Sequence, residues 1–150
     1  MSSTFTNLLF HIVFSTKSRA RLIGDDIKDD LYAYIGGIIR NRRGVLLEIG
    51  GTADHVHLAA RFRADASVAD MVRDFKSNST NWHKRQLESS IRFGWQTGYA
   101  AFSVSESQLA AVRKYIRRQQ EHHRTISFKQ ELISLLEKHN VDFDERYILD

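Results

Sequence analysis

Apolar and polar positions along the chain follow two periods, and the places where one gives way to the other outline the elements. The run TNLLFHIVFST (6 to 16) is densely apolar, with β-branched and aromatic residues, and predicts a central strand. From Asp25 or Asp26 the period lengthens. Ile27, Leu31, Tyr34, Ile35 and Ile38 recur at helical spacing behind an acidic first turn, which predicts a helix ending near Arg43 and Gly44. Gly36 and Gly37 weaken its interior. VLLEIGG (45 to 51) and HVHLAARF (55 to 62) read as two further strands. Ser67 to Asp70 form a capping-box signal ahead of Val68, Met71, Val72 and Phe75, which share one helical face. After a loop around RFGWQTG, YAAFSVS (99 to 105) suits a strand. Ser105 with Gln108 then opens a helix over about 106 to 123, and Ser127 with Gln130 opens a last helix over about 127 to 140.

The resulting order, β-α-β-β-α-β followed by two helices, predicts one α+β domain over residues 1–150. Its fold is ferredoxin-like, or RRM-like: an antiparallel sheet with helices on one face and a C-terminal helical extension. On such a strand, Val56, Leu58, Ala60 and Phe62 face the helices, while His55, His57, Ala59 and Arg61 share the other, open face.

Composition narrows the setting. The chain has 150 residues, 42% hydrophobic and 27% charged, the balance of a globular domain. It contains no cysteine, which excludes disulfides and thiolate metal sites. No apolar run has the length of a membrane span, and the N-terminal stretch lacks a signal peptide's pattern, so a cytoplasmic location without membrane contact is the expectation. A formal charge of +4 fits a polyanionic partner.

The chemistry gathers in two stretches. In TADHVHLAAR, His55 and His57 lie roughly 6.5 to 7 Å apart along a strand, near enough to converge on one ion. At helical geometry the same spacing would point them about 200° apart. Asp54, just before them, is either a partner that supports the histidines from behind or a turn residue, and the turn role is the preferred reading. In AVRKYIRRQQEHH, Leu109, Val112 and Ile116 form the buried stripe of a helix, with Tyr115, Gln119 and His122 beside it and Arg118 adjacent. QQEHH offers Gln119, Gln120, His122 and His123 as further donors. Register places Gln119 and His122 with Tyr115 and turns Gln120 and His123 away by about 100°. Arg113, Lys114, Arg117, Arg118 and Arg124 make this helix basic. By ligand chemistry alone, two imidazoles favour Zn²⁺ or Mn²⁺.

DHVHL, then WQTGYAAFSVSESQ, then VRKYIRRQQEHHRTISFKQELISLLEKH, resemble the single-tyrosine HUH transposases of bacterial insertion sequences and the related REP-associated tyrosine transposases. The similarity runs over nearly the entire chain, and the helical extension is the part that carries the tyrosine. It implies a DNA strand-transfer enzyme in which His55, His57 and Gln119 hold Mg²⁺ or Mn²⁺ and Tyr115 attacks a phosphodiester of single-stranded DNA. A 5′-phosphotyrosine link and a free 3′-OH follow. The resemblance further implies hairpin substrates and a homodimer whose subunits exchange their tyrosine helices.

Candidate DNA contacts are Lys17, Arg19 and Arg21 after the first strand, and Arg40, Arg42 and Arg43 at the end of the first helix. Lys76, Lys84 and Arg85 flank the second helix, and Arg117 and Arg118 lie on the tyrosine helix. Trp82 and Trp95 are candidates to stack an unpaired base. Two alternatives stand beside this reading: a hairpin-binding module of the same fold without catalysis, and a metal-dependent nuclease that uses water. Only the transposase leaves a protein–DNA adduct.

Overall fold

The first apolar run becomes β1 (Leu8–Ser15), and it is central because both of its edges are taken. It lies between β3 (His55–Phe62) and β4 (Ala100–Val104), and β2 (Val45–Gly51) pairs with β3 at the far edge. Every pairing is antiparallel, in the order β2-β3-β1-β4. This computed structural model describes residues 3–86 and 93–148; Arg92, in the expected loop, lies outside them.

Two helices cover one face. α1 (Lys28–Asn41) contributes Leu31, Ile35 and Ile39, and α2 (Val68–Gln86) contributes Met71, Val72 and Phe75. They close on Ile12 and Phe14 of β1 and on Val56, Leu58, Ala60 and Phe62 of β3, the alternation expected for that strand. Apart from Ala60, each such side chain, fully buried, contributes roughly 1.5–3 kcal/mol. Gly36 and Gly37 stay helical, and a Cβ on Gly36 would lie 3.1 Å from Leu46 Cδ2, so the small residue lets α1 approach β2. Ser67 caps α2, its Oγ accepting from Asp70 N at 3.0 Å.

The second face departs from expectation, for it is not open. α5 (Phe128–Lys138) lays Phe128, Leu132, Leu135 and Leu136 against Val13 and Phe102. That apolar stripe needs a partner surface, and the reverse side of β1 and β4 supplies one. The capping box of Ser127 and Gln130 starts α5 as expected. His55 and His57 are consequently fully buried.

The expected single helix over 106 to 123 is instead three pieces. A 3-10 turn (Glu106–Gln108) leads into α3 (Leu109–Arg117), the chain breaks at Arg118 (φ −99°, ψ 20°), and α4 (Gln119–His122) follows. Ser105 makes no side-chain cap; its Oγ lies 3.1 Å from that of Ser107. No helix among the described residues is long and apolar enough to cross a membrane.

A bulge in β2 decides what α3 meets. Leu46 pairs with Ala60, but Glu48 pairs with Ala59, so Leu47 is the extra residue. The slip turns Glu48 to the second face, where Arg113 Nε (3.2 Å) and Arg117 Nη1 (2.8 Å) donate to it. It also sets Gly50 opposite His57. There the Ile116 carbonyl passes so close that a Cβ on Gly50 would run into it. Gly50→Ala should therefore displace α3 and cost about 1–3 kcal/mol by overpacking. Urea unfolding checks this, and an unchanged unfolding free energy would show that α3 tolerates the added methyl.

Candidate active site

Each imidazole of the strand pair is held from behind. Nδ1 of His55 donates to Asp54 Oδ1 at 2.8 Å, and Thr52 Oγ1 donates to the same oxygen at 2.8 Å. Asp54 is thus more than a turn residue. Burial pushes its carboxyl up, but the bonds from His55 and Thr52 outweigh this and leave it below the ordinary range. His57 has no carboxylate behind it; its Nδ1 lies 2.8 Å from Nε2 of His11, a buried β1 residue that the sequence reading passed over.

In front of the pair stands Glu131 of α5, also missed from sequence, 1% exposed. Its Oε1 lies 2.9 Å from His57 Nε2 and 3.5 Å from His55 Nε2. Gln119 Nε2 donates to Glu131 Oε2 at 3.0 Å, which orients the amide so that its Oε1 faces His55 Nε2 at 3.0 Å. The Tyr115 hydroxyl donates to Glu131 as well, and His123 Nε2 reaches it at 3.0 Å. Burial alone would raise the Glu131 carboxyl. The surrounding hydrogen bonds and histidines prevail, and it lies well below the ordinary carboxylate range. Tyr115 moves the opposite way: burial and then the Glu131 carboxylate raise its pKa well above that of free tyrosine.

Among the described residues, His55, His57 and Glu131 offer ligand atoms that all lie within 4.8 Å of one another. The donor set fits a divalent cation. In the neutral His55 ring, Nδ1 gives its proton to Asp54, so a bare Nε2 faces two oxygens, Gln119 Oε1 and Glu131 Oε1. Acceptors turned on one another in a buried space are what a cation satisfies. Two imidazoles with a carboxylate suit Mn²⁺ or Zn²⁺ better than Mg²⁺.

Of the residues expected from sequence, the fold brings His55, His57, Gln119 and Tyr115 together. The Tyr115 ring centroid is 5.7 Å from that of His57, within one chain. Gln119 is buried, and His123, expected to turn away, points in because of the break at Arg118. Arg118 itself is exposed, and the hydroxyl of Tyr115 meets Glu131 rather than a cation.

The expected DNA contacts scatter. Arg19 and Arg21 line a groove beside His123, whereas Lys17, Lys84 and Arg85 are exposed elsewhere. Arg42 pairs with Asp74, Arg43 is the positive-φ residue (59°) that follows α1, and Arg117 pairs with Glu48. Lys76 is occupied within the fold, donating to the carbonyls of Gln96 (2.9 Å) and Gly98 (2.7 Å). Trp82 stacks on Tyr34, and Trp95 packs edge-on to Phe14 while donating to Ser79.

The buried histidines make stability pH-dependent. Burial, reinforced by the neighbouring His57, lowers the His11 pKa to about 3; burial lowers that of His57 to about 4 despite Glu131. An unfolded histidine titrates near 6.5, so below that pH the unfolded chain binds more protons and stability falls with pH until the folded values are reached. The raised pKa of His123 places its own loss above this window. Metal-free protein should lose at least ~2 kcal/mol of unfolding free energy between pH 7 and pH 4.5. Urea melts in EDTA test it, and a flat profile would mean that the two rings are not buried neutral.

The same fold occurs in two solved proteins. A solved transposase from Deinococcus radiodurans R1 superposes with a TM-score of 0.62 at 22% identity, over 77% of this chain and 93% of that one. A REP-associated tyrosine transposase bound to a REP hairpin matches with a TM-score of 0.60 at 16% identity, over 100% of this chain and 93% of that one. The family model for IS200-like transposases matches residues 4–119, and the chain belongs to that family. Among its relatives is the ISDra2 transposase TnpA of Deinococcus radiodurans, 25% identical over 117 residues, which cover 75% of this chain and 84% of the relative. Glu131 lies beyond the matched span.

Proposed function

We propose that this transposase cleaves and rejoins single-stranded DNA at hairpin-flanked sites through a 5′-phosphotyrosine intermediate that depends on a divalent metal. One observation carries the reading: β3, α3, α4 and α5 bring the Tyr115 hydroxyl, His55, His57, Gln119 and Glu131 to a single buried point. His55, His57 and Glu131, with the Gln119 amide oxygen beside them, are the groups that would hold the ion. Such an ion supplies Lewis-acid polarisation of a non-bridging phosphate oxygen.

The rest falls to the chain. Tyr115 oxygen gives up its proton through Glu131 to solvent and forms the bond to phosphorus, the bond from phosphorus to the 3′-oxygen breaks, and that oxygen takes up a proton from water to leave as a 3′-OH. Rejoining reverses the exchange, and the phosphotyrosine conserves the bond energy meanwhile. The hydroxyl is poised as the neutral phenol, its proton directed at Glu131. An open groove of about 690 Å³, lined by Arg19, Arg21 and Lys28 as well as Asp25 and Asp54, reaches His123, which bonds to Glu131, and its three cations suit a phosphate backbone. Within one chain the Tyr115 ring lies 5.7 Å from that of His57, centroid to centroid.

The test is a hairpin oligonucleotide with single-stranded flanks, incubated with the protein and Mn²⁺ or Mg²⁺. The expected product is a DNA adduct that survives boiling in SDS, maps to Tyr115 and disappears with EDTA. Cleavage without an adduct would point to an activated water, and binding without cleavage to a recognition module.

A further inference from the structure

We propose that His11 is a positioning residue for the metal ligand His57: it secures the Nδ1 edge of that ring and so presents Nε2 to the ion. The proposal rests on the metal reading given above. His11 faces the same side of the sheet as His57, two pairs along the β1–β3 ladder, and it is 3% exposed. Its ring lies against that of His57, with centroids 5.1 Å apart and planes at 30°, and its Nε2 meets His57 Nδ1 at 2.8 Å. The other nitrogen of His57 faces Glu131, so both polar edges of this buried ring are engaged.

The contrast with His55 shows what an imidazole adds. Asp54 behind His55 can only accept, which suits a ring whose Nδ1 always carries the proton. His57 has two demands to meet. Without an ion, its Nε2 proton is donated to the Glu131 carboxylate, its bare Nδ1 accepts, and His11 Nε2 is the donor. With an ion on Nε2, the one proton of His57 sits on Nδ1 and His11 must accept it. An imidazole serves both states without moving. The protons balance: His57 gives its Nε2 proton to solvent and takes the Nε2 proton of His11. His11 takes one from water at Nδ1, and its ring lines a cavity on the far side of Tyr115.

Two replacements separate this role from packing. His11→Phe keeps an aromatic ring but offers no acceptor, leaving the Nδ1 proton of His57 unpaired in a buried site. His11→Gln places an amide near the same point, able to donate or accept. Titration of Mn²⁺ into the metal-free full chain, followed by the EPR signal of the free ion, should show affinity about 10- to 100-fold weaker in His11→Phe and close to wild type in His11→Gln. Nitrogen NMR of wild type should show the single His11 proton moving from Nε2 to Nδ1 on adding diamagnetic Zn²⁺. Unchanged affinity in His11→Phe, or equal losses in both variants, overturns the assignment while leaving the metal centre standing. Wild type that binds no Mn²⁺ overturns both. Should His11→Phe fail to fold, the NMR measurement decides, and a proton that stays on Nε2 in the ion-bound protein refutes the role.

Discussion

Tyr115→Phe is expected to lower strand cleavage by on the order of 10⁴-fold or more, with no covalent adduct formed, while hairpin binding persists. The substitution removes one oxygen and little else. The ring of Tyr115 packs edge-on to His57, His11 and His122, with centroids 5.7, 6.1 and 5.3 Å away, and phenylalanine fills the same space. The lost hydroxyl takes one hydrogen bond from Glu131, which keeps its donors from Gln119, His57 and His123. The stability cost is therefore about 1 kcal/mol, too small to unfold the domain and far too small to account for the kinetic loss. Gel-resolved cleavage, a filter-binding titration and a thermal melt on the same preparation separate the three quantities. Cleavage at the wild-type rate would remove Tyr115 from the chemistry altogether.

Glu131→Ala has the largest expected effect on the fold itself. Four neighbours direct polar groups at this buried carboxylate: the Tyr115 hydroxyl, the Gln119 amide, His57 and His123. Alanine leaves them without an acceptor and opens a cavity beside two stacked imidazoles. Breaking a buried charged network from one side costs about 3–5 kcal/mol, a large share of what a domain of this size possesses. Glu131→Gln keeps the volume and half of the accepting capacity, so it should cost less, about 1–3 kcal/mol. Both variants should bind Mn²⁺ more weakly than wild type, because one ligand oxygen is gone or neutral. Denaturant melts of the metal-free forms, followed by Mn²⁺ titration, are the measurements. Wild-type Mn²⁺ affinity in Glu131→Gln would mean that Gln119, and not Glu131, completes the ligand set.

Much of this architecture was legible in sequence because it depends on local periods. Alternation in β3 sent Val56, Leu58, Ala60 and Phe62 to the helices and both histidines to the other side, and Tyr115 and Gln119 both meet Glu131 although the helix breaks between them at Arg118. What escaped depends on partners distant in the chain. The bulge at Leu47 and the facing of His11 on His57 are properties of strand register, which no single segment encodes. The break at Arg118 brought in His123, which an unbroken helix directs elsewhere. Glu131 did leave a trace. It falls on the stripe of Phe128, Leu132, Leu135 and Leu136, and a carboxylate among core positions implies a buried partner even before the partner is known. Lys76 left none, since the carbonyls it caps belong to a turn some twenty residues away.

The separation of 74 residues between His57 and Glu131 also sets an order of events at the ribosome. At about 5–20 residues per second, the imidazole pair emerges several seconds before the carboxylate that faces it. The sheet strands and both covering helices precede α5 in the chain, so the nascent protein can assemble its main core while Tyr115 still lacks its buried acceptor. The centre is finished last. A chain that ended before α5 would lack Glu131, and with it the buried acceptor of the Tyr115 hydroxyl.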